Sequence, residues 1–231
     1  MASRTRPVVS RRERPAKPAL TREGIVSTAV NVMQAEGLDR VTMRRLAQEL
    51  DTGPASLYVY LRNTGELHAA MLEQLLGQVD LSPVTGPGDW RDRLIKILWS
   101  YTEVLIGQPG LAQSVLVTRP SGPAYLGLAE GILALLSAGG VPPARAAWAV
   151  DILLHFATST AAEQGTRDRA ADKGQEEEAL VTALREAPAG TFPHLAGLGA
   201  ELMSGTGPDR LTWGFNVLIN GISQTPRPDD A

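Results

Sequence analysis

The stretch VTMRRLAQELDTGPASLYVYL, residues 41–61, predicts two short helices joined by a tight turn. Thr42 is a good N-cap for the first helix, and the apolar residues after it recur with helical spacing. Residues 51–53, Asp-Thr-Gly, are typical of a turn, and Pro54 suits the first position of a second helix, which we expect to run to Leu61. Two short helices in this arrangement form a helix-turn-helix unit.

The second of these helices leaves most of its surface available to a partner. Only Leu57 and Leu61 can point inward, and the remaining side chains can face a DNA major groove about 12 Å wide: Ala55, Ser56, Tyr58, Val59 and Tyr60. Arg44 and Arg45, in the first turn of the preceding helix, can reach backbone phosphates. Helical hairpins that do not bind DNA show the same periodicity, so the spacing alone leaves both interpretations open.

Helices are also predicted on both sides of this unit. Thr21 is a good N-cap for a helix that ends at Gly37. Asn63 and Glu66 form a capping-box pair for a helix that runs to about Val79. We therefore expect the helix-turn-helix to be part of a small helical domain.

A proline- and glycine-rich loop, DLSPVTGPGD at residues 80–89, predicts a domain boundary. We expect a DNA-binding domain over residues 20–79 and a larger body over residues 80–231. The segment 165–175 is polar and is expected to be mobile. The body shows no strand pattern of useful length, so we expect an all-α fold, with body helices at 89–107, 110–118, 122–138, 142–164, 176–187, 194–204 and 208–222.

The composition excludes several classes of protein. The chain has 231 residues, 43% hydrophobic, and no cysteine, so disulfides, thiol nucleophiles and cysteine metal sites are excluded. The longest uncharged stretch, 211–226, has 16 residues and contains glycine and asparagine, so no membrane-spanning helix is expected. No apolar block follows the N-terminus, which argues against a secretory signal and favours a cytoplasmic protein.

The charge is divided unevenly along the chain. Residues 1–62 contain eleven Lys and Arg against six Asp and Glu, whereas the remainder contains eleven against nineteen. Residues 1–19, with six basic side chains and three prolines, are expected to be a disordered arm. A basic end on an acidic body is typical of a protein that meets a polyanion at that end. A merely solubilising tail would give the same charge pattern.

The run VTMRRLAQELDTGPASLYVYLRNTGELHAAML, residues 41–72, resembles the DNA-binding domain of the TetR (tetracycline-repressor) family of regulators. The resemblance covers about 21–79 and implies a three-helix DNA-binding domain. Three positions depart from the family pattern: Asp51 in place of glycine, Gly53 in place of a capping residue and Thr64 in place of a phosphate-binding lysine. The resemblance implies DNA contacts at Thr42, Arg44, Ala55, Ser56, Tyr58, Val59, Tyr60 and Thr64.

Three stretches of the body are similar to the tetracycline repressor itself: DWRDRLIKILWSY, SVLVTRP and LLHFATSTAAEQ. In that protein a histidine before the Thr-Arg-Pro turn binds the magnesium ion of a drug chelate. Here Val115 occupies the histidine position and Ile97 an amide position, while Glu163 matches a carboxylate that meets the metal's waters. Because an isopropyl group cannot donate to a hard cation, we expect no metal and no cofactor, and an apolar organic effector instead.

The candidate effector site combines apolar walls with a few polar points. The candidate walls are Ile97, Tyr101, Val115, Ile132 and Val150. The candidate polar points are Thr118, Arg119, His155 and Glu163. An isolated histidine such as His155 is more often a structural residue than a ligand contact.

A homodimer is expected because two predicted helices carry faces suited to packing. The helix at 142–164 is rich in alanine, and the helix at 208–222 has an apolar stripe, so two copies would form a four-helix bundle. The alternative is that both faces pack only within one chain.

Together these features predict a ligand-responsive regulator, normally a repressor, that binds double-stranded DNA at a palindromic operator. The alternative is a DNA-binding scaffold without a small-molecule ligand. An enzyme is disfavoured because the three histidines are widely spaced and no G-x-S-x-G, phosphate loop or H-E-x-x-H is present.

Overall fold

Helices account for nearly all of the regular structure in the computed structural model, which describes residues 19–115, 120–169 and 173–228. The predicted arm lies outside these residues except for Ala19. Within the described ranges no strand is present, and the predicted all-α fold is confirmed. The helices are α1 (Arg22–Glu36), α2 (Met43–Glu49), α3 (Pro54–Leu57), α4 (Thr64–Leu76), α5 (Trp90–Ile106), α6 (Pro109–Val115), α7 (Pro123–Ala138), α8 (Pro143–Arg169), α9 (Lys173–Glu186), α10 (Pro193–Leu202) and α11 (Gly207–Gln224).

The head, which we define as α1–α4, is organised by the capping residues that the sequence indicated. The side chain of Thr21 accepts the N–H of Gly24 at 3.0 Å, and Thr42 accepts the N–H of Arg45 at 3.1 Å. Asn63 caps α4 by accepting the N–H of Glu66 at 2.8 Å. Each cap satisfies an N–H group that has no partner inside its helix, and so fixes where the helix begins.

Among the described residues, two helix ends differ from the sequence prediction by four residues or more, those of α3 and α8. Helix α3 ends at Leu57 instead of Leu61, and residues 58–60 form a turn in which the N–H groups of Tyr60 and Leu61 both bond to the Leu57 carbonyl. Leu61 is completely buried, and the aromatic and β-branched residues before it are weak helix formers, so the chain turns toward the start of α4.

Helix α8 is longer than predicted. It continues through polar residues to Arg169, so part of the predicted mobile segment is helical. An ion pair between Glu163 and Arg167, one helical turn apart, joins Oε1 to Nη2 at 2.7 Å. Pairs at this spacing favour the helix, and the polarity of the segment therefore marks an exposed helix.

Helix α4 belongs to the head and also packs on the body, α5–α11. It packs against α1 on one side and against α5, α6 and α7 on the other. Its Leu67, Met71 and Leu75 are essentially inaccessible to solvent. The hydrophobic core is consequently continuous from head to body.

Helices α8 and α11 approach closely at Gly214. The rings of Phe156 and Phe215 meet edge to face, with centroids 5.5 Å apart. A Cβ at Gly214 would lie 2.9 Å from Cε1 of Phe156 and still nearer to its Cζ. Glycine at this position therefore allows the two helices to pack at their observed separation.

We predict that Gly214→Ala lowers the melting temperature. Overpacking costs about 1–3 kcal/mol, more than the gain of about 1 kcal/mol expected from replacing a helical glycine by alanine. Gly197→Ala in α10 is the matched control, because a Cβ at Gly197 meets no atom within 4 Å and the substitution should raise the melting temperature. Thermal unfolding followed by circular dichroism measures both. A rise for both variants would contradict the close approach.

Candidate nucleic-acid interface and effector site

The segment at α3 presents one exposed face around a buried anchor. Leu57 is 0% exposed, whereas Tyr58 is 51% and Val59 81% exposed. Ala55 and Ser56 are also exposed. We call these four exposed residues, together with the buried anchor Leu57, the recognition surface.

The other residues predicted to contact DNA differ in how much of the side chain is exposed. Tyr60 is only partly exposed, because its ring packs against the core. Thr42 and Thr64 are exposed, and the hydroxyl of Thr42 is also the cap of α2. Tyr60 can therefore offer DNA only part of its side chain.

The two adjacent arginines of α2 have different surroundings. Arg44 is exposed. The guanidinium of Arg45 lies between two carboxylates, with Nη2 2.6 Å from Glu36 Oε1 and Nη1 2.7 Å from Glu49 Oε2. The hydrogen bond from Arg45 lowers the pKa of Glu36, and those to both carboxylates raise the pKa of Arg45. Arg45, predicted to contact phosphate, is thus already engaged in joining α2 to α1.

The turn between the recognition surface and α4 is held by Glu66. Its Oε2 accepts hydrogen bonds from the backbone N–H of Arg62 at 2.9 Å and from the Arg62 Nε at 3.1 Å. These two hydrogen bonds lower the pKa of Glu66. Arg22 of α1 also approaches the carboxylate, at 3.8 Å. The carboxylate consequently ties the start of α4 to both neighbouring elements.

Four of the candidate effector residues lie in the interior of the body. Ile97 and Ile132 are completely buried, and Tyr101 and Val150 are nearly so. Val115 is partly buried at the end of α6. The structure therefore places these predicted walls inside the body or at its edge.

A buried hydrogen-bonded pair lies in the same interior. The hydroxyl oxygens of Tyr101 and Thr158 are 2.7 Å apart. Because the Thr158 hydroxyl donates to the Leu154 carbonyl at 2.7 Å, Tyr101 is the donor to Thr158. Burial raises the pKa of Tyr101 to about 12, although the hydrogen bond to Thr158 acts in the opposite direction.

Two of the remaining candidate effector residues do not join this interior. His155 and Glu163 are exposed on α8, and Glu163 is the residue paired with Arg167. Both face outward because they lie out of phase with the buried residues Leu154, Ala157 and Ala161 on the helix. Thr118 and Arg119 lie outside the described residues. Within the described part of the chain no group of three or more potential ligands could hold a metal ion.

Sequence reasoning missed several polar side chains at internal contacts, among them Thr158 and His68. Thr158 lies three residues after His155, in phase with the buried face of α8, and this phase was the available signal. His68 of α4 lies with its Nδ1 3.3 Å from the Ser114 hydroxyl of α6, and partial burial lowers its pKa. Nothing in the local sequence pairs His68 with α6.

In the described ranges no helix is long and apolar enough to cross a membrane.

Comparison with known families gives matches over both parts of the chain. Residues 25–71 match the family of bacterial regulatory proteins of the tetR family. Residues 82–225 match the family of tetracycline-repressor-like C-terminal domains. The chain belongs to the TetR family. The DNA-binding and C-terminal helical parts expected from the sequence resemblance are thereby confirmed as those of a TetR-family transcription regulator.

Individual relatives of this TetR-family protein are also transcription regulators. The HTH-type transcriptional repressor DrrR1 of Streptomyces coeruleorubidus is 30% identical over 221 residues, covering 92% of this chain and 80% of the relative. The structure of the Streptomyces coelicolor protein SCO7704 is 56% identical in sequence, with a TM-score of 0.75 and coverage of 92% of this chain and 98% of that one. ActR of Streptomyces coelicolor, solved in complex with actinorhodin, is 33% identical, with a TM-score of 0.81 and coverage of 89% and 96%.

We predict that Tyr101→Phe is less stable than the parent, and that this difference in the free energy of unfolding becomes smaller as the pH rises above 10. At pH 8 the variant should be less stable by about 1 kcal/mol, because the hydrogen bond to Thr158 is lost. Between the ordinary tyrosine pKa of 10.0 and the folded value of about 12, unfolded Tyr101 is ionised while folded Tyr101 keeps its proton. In this range the folded parent binds more protons than the unfolded parent, so the free energy of unfolding of the parent falls as the pH rises. The variant has no phenol at this position and does not show this decrease.

Urea unfolding of both proteins at pH 8, 10 and 11 measures this difference. Other titrating groups affect both proteins equally and cancel. A free-energy gap that stays constant over this range would contradict the burial of the phenol.

Proposed function

We propose that this TetR-family regulator is a repressor that binds a palindromic operator as a homodimer and leaves it when a small apolar effector binds. The observation that carries the proposal is the recognition surface, which is exposed around the buried Leu57 on a head that shares α4 with the body. In this proposal residues 20–79 are the DNA-binding domain. Residues 80–231 bind the effector and form the dimer.

The recognition surface would enter the major groove. Ser56 and Tyr58 carry hydroxyls for base edges or phosphates, while Ala55 and Val59 can contact thymine methyls. Arg44 would bind a phosphate, with Thr42 and Thr64 beside it and Tyr60 at the edge. We assign Arg45 a different role, because its guanidinium is held by Glu36 and Glu49: it joins α2 to α1. The basic arm would add affinity that depends strongly on salt.

The dimer would form through the outward faces of α8 and α11. Large apolar residues are exposed on both helices, with Trp148 50% and Ile152 44% exposed on α8 and Trp213 70% and Val217 47% exposed on α11. Exposed apolar faces of this kind mark interaction sites, and two helices from each chain make a four-helix bundle. His155 and Glu163 would then face the second protomer instead of the interior of their own.

The effector would bind in the interior of the body. The walls Ile97, Ile132 and Val150 are apolar, and the Tyr101 hydroxyl supplies a polar group in the same interior. Val115 stands where the tetracycline repressor has its metal ligand, so no magnesium chelate is expected. That ActR, at 33% identity, was solved in complex with actinorhodin supports a small organic ligand.

We predict that Tyr58→Ala abolishes sequence-specific DNA binding and leaves the fold intact, because Tyr58 is a half-exposed aromatic residue of the recognition surface. DNA fragments retained from the source genome by the parent protein supply the operator, and gel retardation measures binding. Phe192→Ala is the matched control, since Phe192 is an exposed aromatic of the body at 46%. If Tyr58→Ala retards the operator as tightly as the parent does, the assignment of the recognition surface is wrong.

We predict that the effector is apolar and binds without a metal. Calorimetry is carried out first with tetracycline and magnesium, and then with a panel of hydrophobic compounds that includes actinorhodin. We expect a panel compound to bind and to lower operator affinity 5–150-fold, which corresponds to a coupling of about 1–3 kcal/mol. Tight, chelator-sensitive binding of the magnesium complex would overturn the apolar site. Binding by no compound in either set would favour the scaffold without a ligand.

A further inference from the structure

One contact between α4 and the body belongs to neither candidate site. The Glu73 carboxylate accepts hydrogen bonds from the backbone N–H groups of Ala124 and Tyr125, the second with its Oε2 at 3.3 Å. These are the second and third residues of α7. A side chain of the head therefore caps a helix of the body.

Helix α7 has no capping side chain of its own. Its N-cap residue is Gly122, which makes no side-chain cap, and Pro123 at the first position has no N–H group. The next two N–H groups have no partner inside the helix, and Glu73 accepts both. A carboxylate is favourable here because the N-terminal end of a helix is partly positive and hydrogen bonds to a charged group are the stronger kind.

The absence of a side chain at Gly122 makes room for Glu73. A Cβ at this position would overlap the Glu73 carboxyl group. The backbone of Gly122 has φ −86° and ψ 173°, which any residue adopts. Backbone conformation therefore does not require glycine here, and the carboxylate does.

A second polar contact from α4 reaches the end of α6. His68, five residues before Glu73 on α4, lies against Ser114 with Nδ1 3.3 Å from the hydroxyl oxygen. Helix α4 thus contacts the chain both shortly before and shortly after the connection between α6 and α7. Of the two contacts, only the one at Glu73 includes a charged group that accepts two hydrogen bonds.

We propose that Glu73 is a positioning residue that sets the orientation of the head relative to the body by capping α7 from α4. The regulatory consequence rests on the proposed function. A ligand that shifts α7, which carries the buried Ile132, must carry α4 with it or break the cap. In both cases the recognition surface changes its orientation. Loss of the carboxylate removes the polar restraint between α4 and α7, so that repacking of their apolar contact alone can change the angle of α4, while its packing against α1 keeps the head folded.

The test measures a distance within one chain. Because the chain has no cysteine, Gln48→Cys on the head and Glu103→Cys on the body, both exposed, carry two spin labels without interfering sites. Dilution with unlabelled protein ensures that only pairs within one chain contribute, whether or not the protein dimerises. The distance distribution is compared for Glu73→Ala, Gly122→Ala, the double variant and the control Glu130→Ala, an exposed carboxylate of α7.

We expect a narrow distribution for the parent and the control, and a broader or shifted one for Glu73→Ala and for Gly122→Ala. The double variant should match Glu73→Ala, because the methyl group added at position 122 then has no carboxylate to displace. An unchanged distribution in Glu73→Ala would overturn the proposal, as would a further effect of Gly122→Ala once Glu73 is absent. Glu73→Gln keeps one acceptor oxygen and should give an intermediate distribution, and it decides the matter if Glu73→Ala does not fold.

A DNA-binding measurement separates this proposal from the proposed function. Operator affinity should fall about tenfold in Glu73→Ala and stay unchanged in Glu130→Ala, a coupling within the usual range. The distance measurement needs neither operator nor effector. Absence of specific DNA binding in the parent would therefore contradict the proposed function, whereas the distances would still decide the role of Glu73.

Discussion

Helix α4 must pack against the head and against the body at the same time, and the rest of the structure depends on this constraint. Its apolar residues spread beyond a single stripe, from Leu67 through Leu72 to Leu76, so that one side packs on α1 and the other on the body. A helix buried in this way cannot turn relative to either layer without disturbing close-packed side chains. The recognition surface is joined to α4 through the turn that Glu66 holds, so its orientation is set by how α4 sits on the body.

Local signals carried most of the sequence prediction. The caps at Thr21, Thr42 and Asn63 involve partners three residues away, and such contacts are visible in any short window of sequence. Helical periodicity likewise identified the buried Leu57 and the exposed neighbours around it. The all-α fold and the position of the helix-turn-helix could therefore be predicted, because both depend on spacing along the chain.

Most of the features that the sequence could not provide depend on contacts between distant segments. Arg44 and Arg45 are identical neighbours in the sequence, and only the approach of α1 places Glu36 beside the second of them. The end of α3 depends on where Leu61 must be buried, and the cap of α7 joins residues about fifty positions apart. His155 was predicted to line the effector site and lies on the outside, because its phase on α8 differs from that of its buried neighbours.

The room that Gly122 leaves for Glu73 has a consequence for how this sequence can diverge. The cap that the Glu73 carboxylate makes requires a residue at 122 without a side chain. A lineage that loses this carboxylate is released from the restriction and can cap α7 by other means, for example with serine or aspartate at 122. The two positions should therefore change together during evolution, although they are far apart in the chain. Regulators with this fold would then separate into two groups, according to whether the first turn of α7 is capped by the head or by the body itself.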